Sequence, residues 1–307
     1  MKFTHIAFGI VASSVGAGFL AASVSAQTLD GTLKKIKDAG TITLGHRDSS
    51  IPFSYLDENQ KPIGYSMDLC YKIVDAVKAE LKMPDLKVAL QPVTSATRIP
   101  LMANGTIDLE CGSTTNNLER QQQVSYVDTT FVTANRLVSK KSAKISKLED
   151  LKGKTLVSTS GTSNLKQVTQ LNGDKNLGIN VVTASDHSNA FQMVESDRAA
   201  AFAMDDILLY SAVATSRTPG DYVISSEALS VEPYGIMVRK GDPAFKKVAD
   251  NAIVAVFKSG EINKIYNKWF LAPIPPKNIN LNVPMSDILK KVIANPTDSG
   301  DPSAYKL

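Results

Sequence analysis

Of the 307 residues only two are cysteine, one is tryptophan and three are histidine. Two cysteines cannot build a disulfide framework, and three histidines leave little for a metal centre. No long low-complexity tract occurs and 43% of residues are hydrophobic, so disorder is excluded for the bulk of the chain. Beyond the N-terminus there is no long apolar run, which excludes a multi-spanning membrane protein. No block of a single charge stands out either. The 34 Lys and Arg barely exceed the 30 Asp and Glu and are scattered, so the net charge of +4 describes a solvated surface rather than a nucleic-acid groove. What is present is the composition of an ordinary folded protein, long enough for two domains.

Residues 1–26 carry Lys2 and no acidic residue, followed by the apolar stretch Ile6–Leu20. Val24 and Ala26 are small residues at the −3 and −1 positions of a cleavage site before Gln27. This pattern predicts a removable export signal and a mature chain of residues 27–307, with a membrane anchor as the alternative reading. No Cys stands at the cleavage point, so a lipid anchor is not suggested. In an oxidising compartment Cys70 and Cys111 can form a disulfide. They can equally remain two buried thiols acting as small hydrophobes, and the sequence leaves both open.

Along the mature chain, "GTITLGHR" alternates as a strand and "SSIPFSYLDENQKPIGYS" reads as a loop-rich hairpin. A helix is expected from Met67 with Ser66 as its N-cap, then a strand over "LKVALQPV", a short helix closed by Gly105, and a strand over "TIDLECG". A similar cycle follows: a capped helix and strand in "ISKLEDLKGKTLVSTSGTS", a helix, the strand "INVVTA", a helix, the strand "AAAFAMDD" and another helix. The strand "YGIMVRK", a long amphipathic helical region up to Phe270, and a last short helix near Ser286–Ile293 complete the pattern. The terminal "NPTDSGDPSAYKL" reads as frayed. Alternating strands and helices in two cycles predict two α/β lobes with largely parallel sheets.

Some residues in these runs suit a charged ligand, since a buried charge requires an opposite charge or hydrogen bonds. Arg120 offers a planar fork of donors, and in "CGSTTNNLER" it follows Ser113 and Thr115 closely enough for all three to converge on one anion. On spacing alone, a surface arginine with Ser113 as a cap is equally served. Gly161 in "STSGTSNL" lets backbone approach a ligand, with Thr162 and Ser163 just after it. Asp205 ends an apolar strand, where open α/β sheets bind ligands, and Asp206 competes for that role.

The runs "GHRDSSIPFSYLDENQKPIGYSMDL", "NGTIDLECGSTTNNLERQQQVSYVD", "LKGKTLVSTSGTS" and "SGEINKIYNKWF…PIPPKN" resemble the polar-amino-acid periplasmic binding proteins, the solute-binding subunits of ABC importers (family 3). "GHR", "TSATRIP" and "CGSTTNNLER" are similar to the glutamate/aspartate-binding branch. The resemblance spans essentially the whole mature chain. It implies a type II periplasmic binding fold of two α/β lobes joined by a two-strand hinge. The second lobe would be inserted in the first: 27–134 and 231–307 with a C-terminal tail in lobe 1, and 135–230 in lobe 2.

The same resemblance implies that Arg120 grips the α-carboxylate with help from Ser113, Thr115 and Ser163, while Asp205 takes the α-ammonium. Arg47 falls where binders of basic amino acids carry an acid, a charge reversal that implies an acidic ligand. Arg98, Ser95 and His187 would complete a cationic pocket for a second carboxylate. Only seven of the 34 basic residues are arginine, and three of those seven fall in these motifs. Ser50 and Ser95 replace aromatic residues of many relatives, so the pocket should be polar, with Phe53 and Tyr65 in the core.

Two rival readings stand beside this one. A nucleophilic triad of Ser113, His187 and Asp205 would make an exported enzyme, but no G-x-S-x-G elbow is present. A sensor module of the same fold is the other. The expectation is a monomeric, periplasmic, cofactor-free protein whose partners are L-glutamate or L-aspartate and an inner-membrane ABC permease.

Overall fold

Ile42 and Leu44, at alternate positions of the strand Thr41–His46, bury one of its faces, and the chain builds its first sheet around it. In the computed structural model, which describes residues 1–5 and 29–306, that strand runs parallel to Lys87–Pro92 on one side and Leu109–Glu110 on the other. Met237–Arg239 and Val124–Tyr126 extend the sheet antiparallel. The expected apolar run Ile6–Leu20 and cleavage site before Gln27 lie outside the described residues. Among those described, no helix is long and apolar enough to cross a membrane.

The helix Tyr65–Leu81 packs Leu69, Ile73, Val74 and Val77 under this sheet. It starts two residues before Met67, and Ser66 does not cap it. Gly64 leads into the helix at φ 141°, seated on the Phe53 carbonyl where a side chain has no room. The Ser66 hydroxyl instead donates to the Gly112 carbonyl at 2.8 Å. Cys70 of this helix is joined to Cys111 by a disulfide, with Cα atoms 6.1 Å apart. The bridge ties the helix to the strand end that leads into Ser113.

The second sheet has Asn180–Ala184, Thr155–Thr159 and Ala201–Asp205 parallel, then Phe131–Lys140 antiparallel to them. Helices Ser163–Asp174, His187–Glu195 and Asp206–Thr215 cover it. The chain passes from the first sheet to the second along Phe131–Lys140 and returns along Ser230–Tyr234. Those strands pair antiparallel from Asn135 opposite Ser230 to Phe131 opposite Tyr234. At the first-sheet end of this ladder Phe131 and Tyr234 meet Phe53, at 4.9 and 5.1 Å between ring centres, and Phe131 stacks on Phe270 at 5.0 Å. Buried aromatic pairs of this kind add about 0.5–1.5 kcal/mol each beyond area burial, so the crossing strands are anchored in the first lobe's core. The fold is the two-lobe α/β architecture expected from the sequence, but its sheets are mixed rather than largely parallel, because the crossing and returning strands pair antiparallel.

The long helical region near the C-terminus breaks at Gly260 into Pro243–Lys258 and Glu261–Tyr266. The last helix, Asp287–Ala294, is capped by Ser286, whose hydroxyl accepts from the Leu289 N–H. The terminal residues are not frayed: Tyr305 is 1% exposed and hydrogen-bonded to Thr129 and Ser299.

Candidate ligand-binding site

The residues that open the first lobe's loops collect along one face between the two sheets. Arg47 ends the Thr41–His46 strand and is fully buried. Its Nε, Nη1 and Nη2 have no hydrogen-bond partner among the described residues. Its nearest acid across the seam, Asp186, stands at 3.7 Å, within Coulomb range but too far for a hydrogen bond. Arg98 opens its short helix and is also buried. Its Nη1 donates to Thr114 Oγ1 at 2.5 Å, and that hydroxyl donates onward to Glu110 at 2.5 Å. The relay fixes the guanidinium while its Nε stays unpartnered. Ser50, Ser95 and Ser113 add three more buried hydroxyls without partners. Native proteins satisfy nearly all buried polar groups, so orphans gathered at one place point to a polar ligand.

Burial pulls both guanidinium pKa values down, Arg98 to about 10, with Glu110 opposing the shift in each case. At about 10, Arg98 remains cationic at neutral pH. Arg120 is held differently, donating to the Thr115 carbonyl at 2.8 Å and, across the seam, to the Gly161 carbonyl at 3.2 Å.

From the second lobe come Ser163, His187 and Asp205. Thr162 caps the Ser163–Asp174 helix, accepting from the Leu165 N–H at 3.1 Å. Ser163 is thus the first helical residue, whose own N–H has no intrahelical acceptor. Its hydroxyl donates to Glu232 at 2.8 Å and lies 3.3 Å from Thr115 Oγ1. Gly161, at φ 77°, sits so close to Ala96 that a Cβ would fall 2.5 Å from its Cα. The lobes therefore meet backbone to backbone, in a closed arrangement.

His187 corrects an expectation. It is buried and its Nδ1 is hydrogen-bonded to Thr159 Oγ1 at 2.8 Å. Burial and the Arg47 charge pull its pKa to about 3, so it stands in the site as a neutral imidazole and adds no positive charge.

Asp205 accepts from Asn164 Nδ2 at 2.7 Å and from the Tyr234 hydroxyl. Burial, then the nearby Glu232, push its carboxyl up to about 7. Asp206 is turned away to Thr133 and to Arg136, at 2.5 and 3.1 Å. The hydrogen bonds of a Ser113–His187–Asp205 triad are not formed, since His187 Nδ1 and both Asp205 oxygens are engaged elsewhere.

Sequence reading did not single out Glu110, Thr114, Asn164, Glu232 or Tyr234. Glu110 in "TIDLEC" was the one with a signal, an acid on a strand buried on both faces. Among the described residues, no three His, Cys, Asp or Glu are grouped to hold a metal ion. Two pockets flank the cluster. One of about 220 Å³ lies beside His187 and Ser49. The other, of about 460 Å³, is bordered by Arg120, Gly161, Ser163, Glu232 and Pro302.

Residues 42–272 match the bacterial extracellular solute-binding proteins, family 3. The L-glutamate/L-aspartate-binding protein of Pseudomonas aeruginosa is 56% identical over 96% of this chain and 98% of its own length. The glutamate/aspartate import solute-binding protein of Escherichia coli is 46% identical over 97% and 99%. Among solved structures, an ancestral arginine-binding protein bound to arginine aligns with a TM-score of 0.68 at 32% identity, covering 75% of this chain and 98% of that one.

Proposed function

The chain belongs to the family 3 bacterial extracellular solute-binding proteins, and from that membership we propose that it captures L-glutamate and L-aspartate in the periplasm and delivers them to an inner-membrane ABC permease. It binds and releases its ligand unchanged, acts as a monomer and needs no cofactor. One lobe comprises 27–134 and 231–307, the other 135–230. The observation that carries this reading is the set of buried, unpartnered donors on Arg47, Arg98, Ser50, Ser95 and Ser113.

In this reading the ligand's side-chain carboxylate supplies the acceptors that Arg47 and Arg98 lack, with Ser95 and neutral His187 completing its shell. Arg120, Thr115, Ser113 and the Ser163 N–H hold the α-carboxylate. The Ser163 hydroxyl is committed to Glu232, so its backbone rather than its side chain faces the anion. Asp205, with Glu232 behind it, takes the α-ammonium. Closure then brings Ser163, His187 and Asp205 over a ligand already held by the first lobe.

Glutamine would leave the arginine pair without its counter-ion. Losing one partner of a buried pair costs about 3–5 kcal/mol, so discrimination of about 10²–10³ or more follows. Titration calorimetry of residues 27–307, unfolded and refolded to remove copurified ligand, tests the assignment. We expect tight one-to-one binding of glutamate and aspartate, with glutamine and arginine silent. Tight binding of glutamine or arginine would overturn the roles given to Arg47 and Arg98.

A further inference from the structure

The chain after Ala294 runs back over the molecule and grips the segment that carries Arg120. The Thr297 carbonyl accepts from the Thr129 N–H at 2.8 Å. The Asp298 carbonyl accepts from the side-chain amides of Asn116 and Gln121, at 2.8 and 2.9 Å, and its carboxylate pairs with Lys246 at 2.9 Å. Gly300 lies flat on the next turn, where a Cβ would come 2.8 Å from the Asn117 carbonyl carbon and 2.9 Å from the Leu118 nitrogen. Tyr305 locks the end, its hydroxyl 2.7 Å from both Thr129 Oγ1 and the Ser299 carbonyl. Pro302 borders the same pocket as Arg120 and Ser163.

The gripped segment has little structure of its own. Between the Leu109–Glu110 strand and Val124 it forms one 3-10 turn, Arg120–Gln122, and one isolated bridge, Thr115 to Tyr234. Segments with few ladder bonds open locally at low free energy unless something holds them. A site is precise only when the residues beneath it are themselves fixed, to about half an ångström. Asn117 links the two layers: its Oδ1 accepts from the Arg120 N–H at 2.9 Å, directly below Gly300. The tail also lies outside residues 42–272, the part that matches the family.

We propose that residues 296–306 are a positioning clamp for Arg120, so that affinity for every amino-acid ligand depends on the tail while selectivity among them does not. The proposal rests on the reading of Arg120 as the α-carboxylate group. The test uses the full mature chain carrying Gln121→Ala and Tyr305→Phe, which removes tail hydrogen bonds without shortening the chain. With each such bond worth roughly 0.5–1.5 kcal/mol, the dissociation constants for glutamate and aspartate should rise together by about tenfold, their ratio unchanged. Hydrogen exchange should quicken at residues 116–123.

A double-mutant cycle separates positioning from general stability. In an Arg120→Lys background, which cannot reproduce the forked grip, the tail substitutions should cost little further affinity. The clamp is overturned if their cost is the same in both backgrounds, if the glutamate/aspartate ratio moves, or if thermal stability falls while affinity stays put. If Arg120→Lys alone leaves affinity untouched, the α-carboxylate assignment itself falls and takes the clamp with it.

Discussion

The two faces of the cleft differ in what they lack. On the first-lobe face Arg47 and Arg98 are buried with unpartnered N–H groups, beside three unpartnered hydroxyls. On the second-lobe face the polar groups are largely satisfied: His187 by Thr159 and Asp205 by Asn164 from the same lobe, and Asp205 and Ser163 also by Tyr234 and Glu232 of the returning crossing strand. One face is cationic and incomplete, the other neutral to acidic and nearly complete. A buried incomplete face costs stability and gains specificity, because only a ligand with acceptors in the right places completes it. The second face keeps most of its own hydrogen bonds when the lobes part, losing mainly the seam contacts such as Arg120 to the Gly161 carbonyl. In this reading the first lobe selects and the second encloses.

The two arginines provide the strongest way to break the contrast. Arg98→Met and Arg47→Met should each lower glutamate affinity by about 10³ and erase the preference over glutamine, as read by calorimetry. Their effects on the ligand-free protein should have opposite signs. Arg98 holds Thr114 and, through it, one oxygen of Glu110, and stands 3.9 Å from the other, so its loss removes the nearest cation from a buried acid and lowers Tm. Arg47 makes no side-chain hydrogen bond, so Met in its place should raise Tm. A fall in Tm for both would mean that the incompleteness of this face is not what costs stability.

A smaller effect is expected at the seam. Gly161→Ala places a methyl against the Ala96 backbone at a residue whose φ of 77° disfavours side chains. The lobes should then fail to close fully, affinity should drop by about 10–100-fold, and small-angle scattering with saturating glutamate should report the wider form. The glutamate/glutamine ratio should survive, because the selecting face is intact. If that ratio collapses too, enclosure contributes to selection.

The smallest effect is a proton. The Asp205 carboxyl is pushed up to about 7 from 3.8, so its contribution to folded stability is complete below pH 3.8 and is lost as pH rises through 7. His187 acts in the other direction: with its pKa pulled from 6.5 to about 3, stability is lost only as pH falls below 6.5. A ligand ammonium favours ionised Asp205. Glutamate binding near pH 7 should therefore release a fraction of a proton, and affinity should rise by roughly two- to tenfold from pH 6 to 8. Calorimetry in buffers of different ionisation heat reads the proton directly. Asp205→Asn should abolish the release and His187→Gln should leave it in place. Release that persists in Asp205→Asn would move the ammonium elsewhere.

The element order was legible in the sequence because periodicity and Gly or Pro punctuation are local signals, and the two α/β cycles in the structure follow the strand and helix runs read from it. What failed was what depends on distant partners. His187 read as a cation because an imidazole near an anion site usually is one, and only the fold sets it beside Arg47. Glu110 and Glu232 were passed over because the groups that justify burying them, Thr114 with Arg98 and Ser163, arrive from elsewhere in the chain. Ser66 looked like a helix cap until Gly64 took the start of the helix. The tail read as frayed from its Pro, Ser, Asp and Gly content. It is fastened largely through the carbonyls of Thr297, Asp298 and Ser299, which any sequence supplies and no composition reveals.

The two crossing strands have one more implication. Paired in register from Phe131–Tyr234 to Asn135–Ser230, they resist sliding, because any slip breaks every rung, yet they bend readily across their width. If the lobes close as proposed, the motion these strands leave them is close to a single rotation, and that rotation would change the relation between outer surfaces far from the cleft. The proposed permease, touching both lobes from outside, would then read one binary variable, occupied or empty, without sensing a single atom of the cargo.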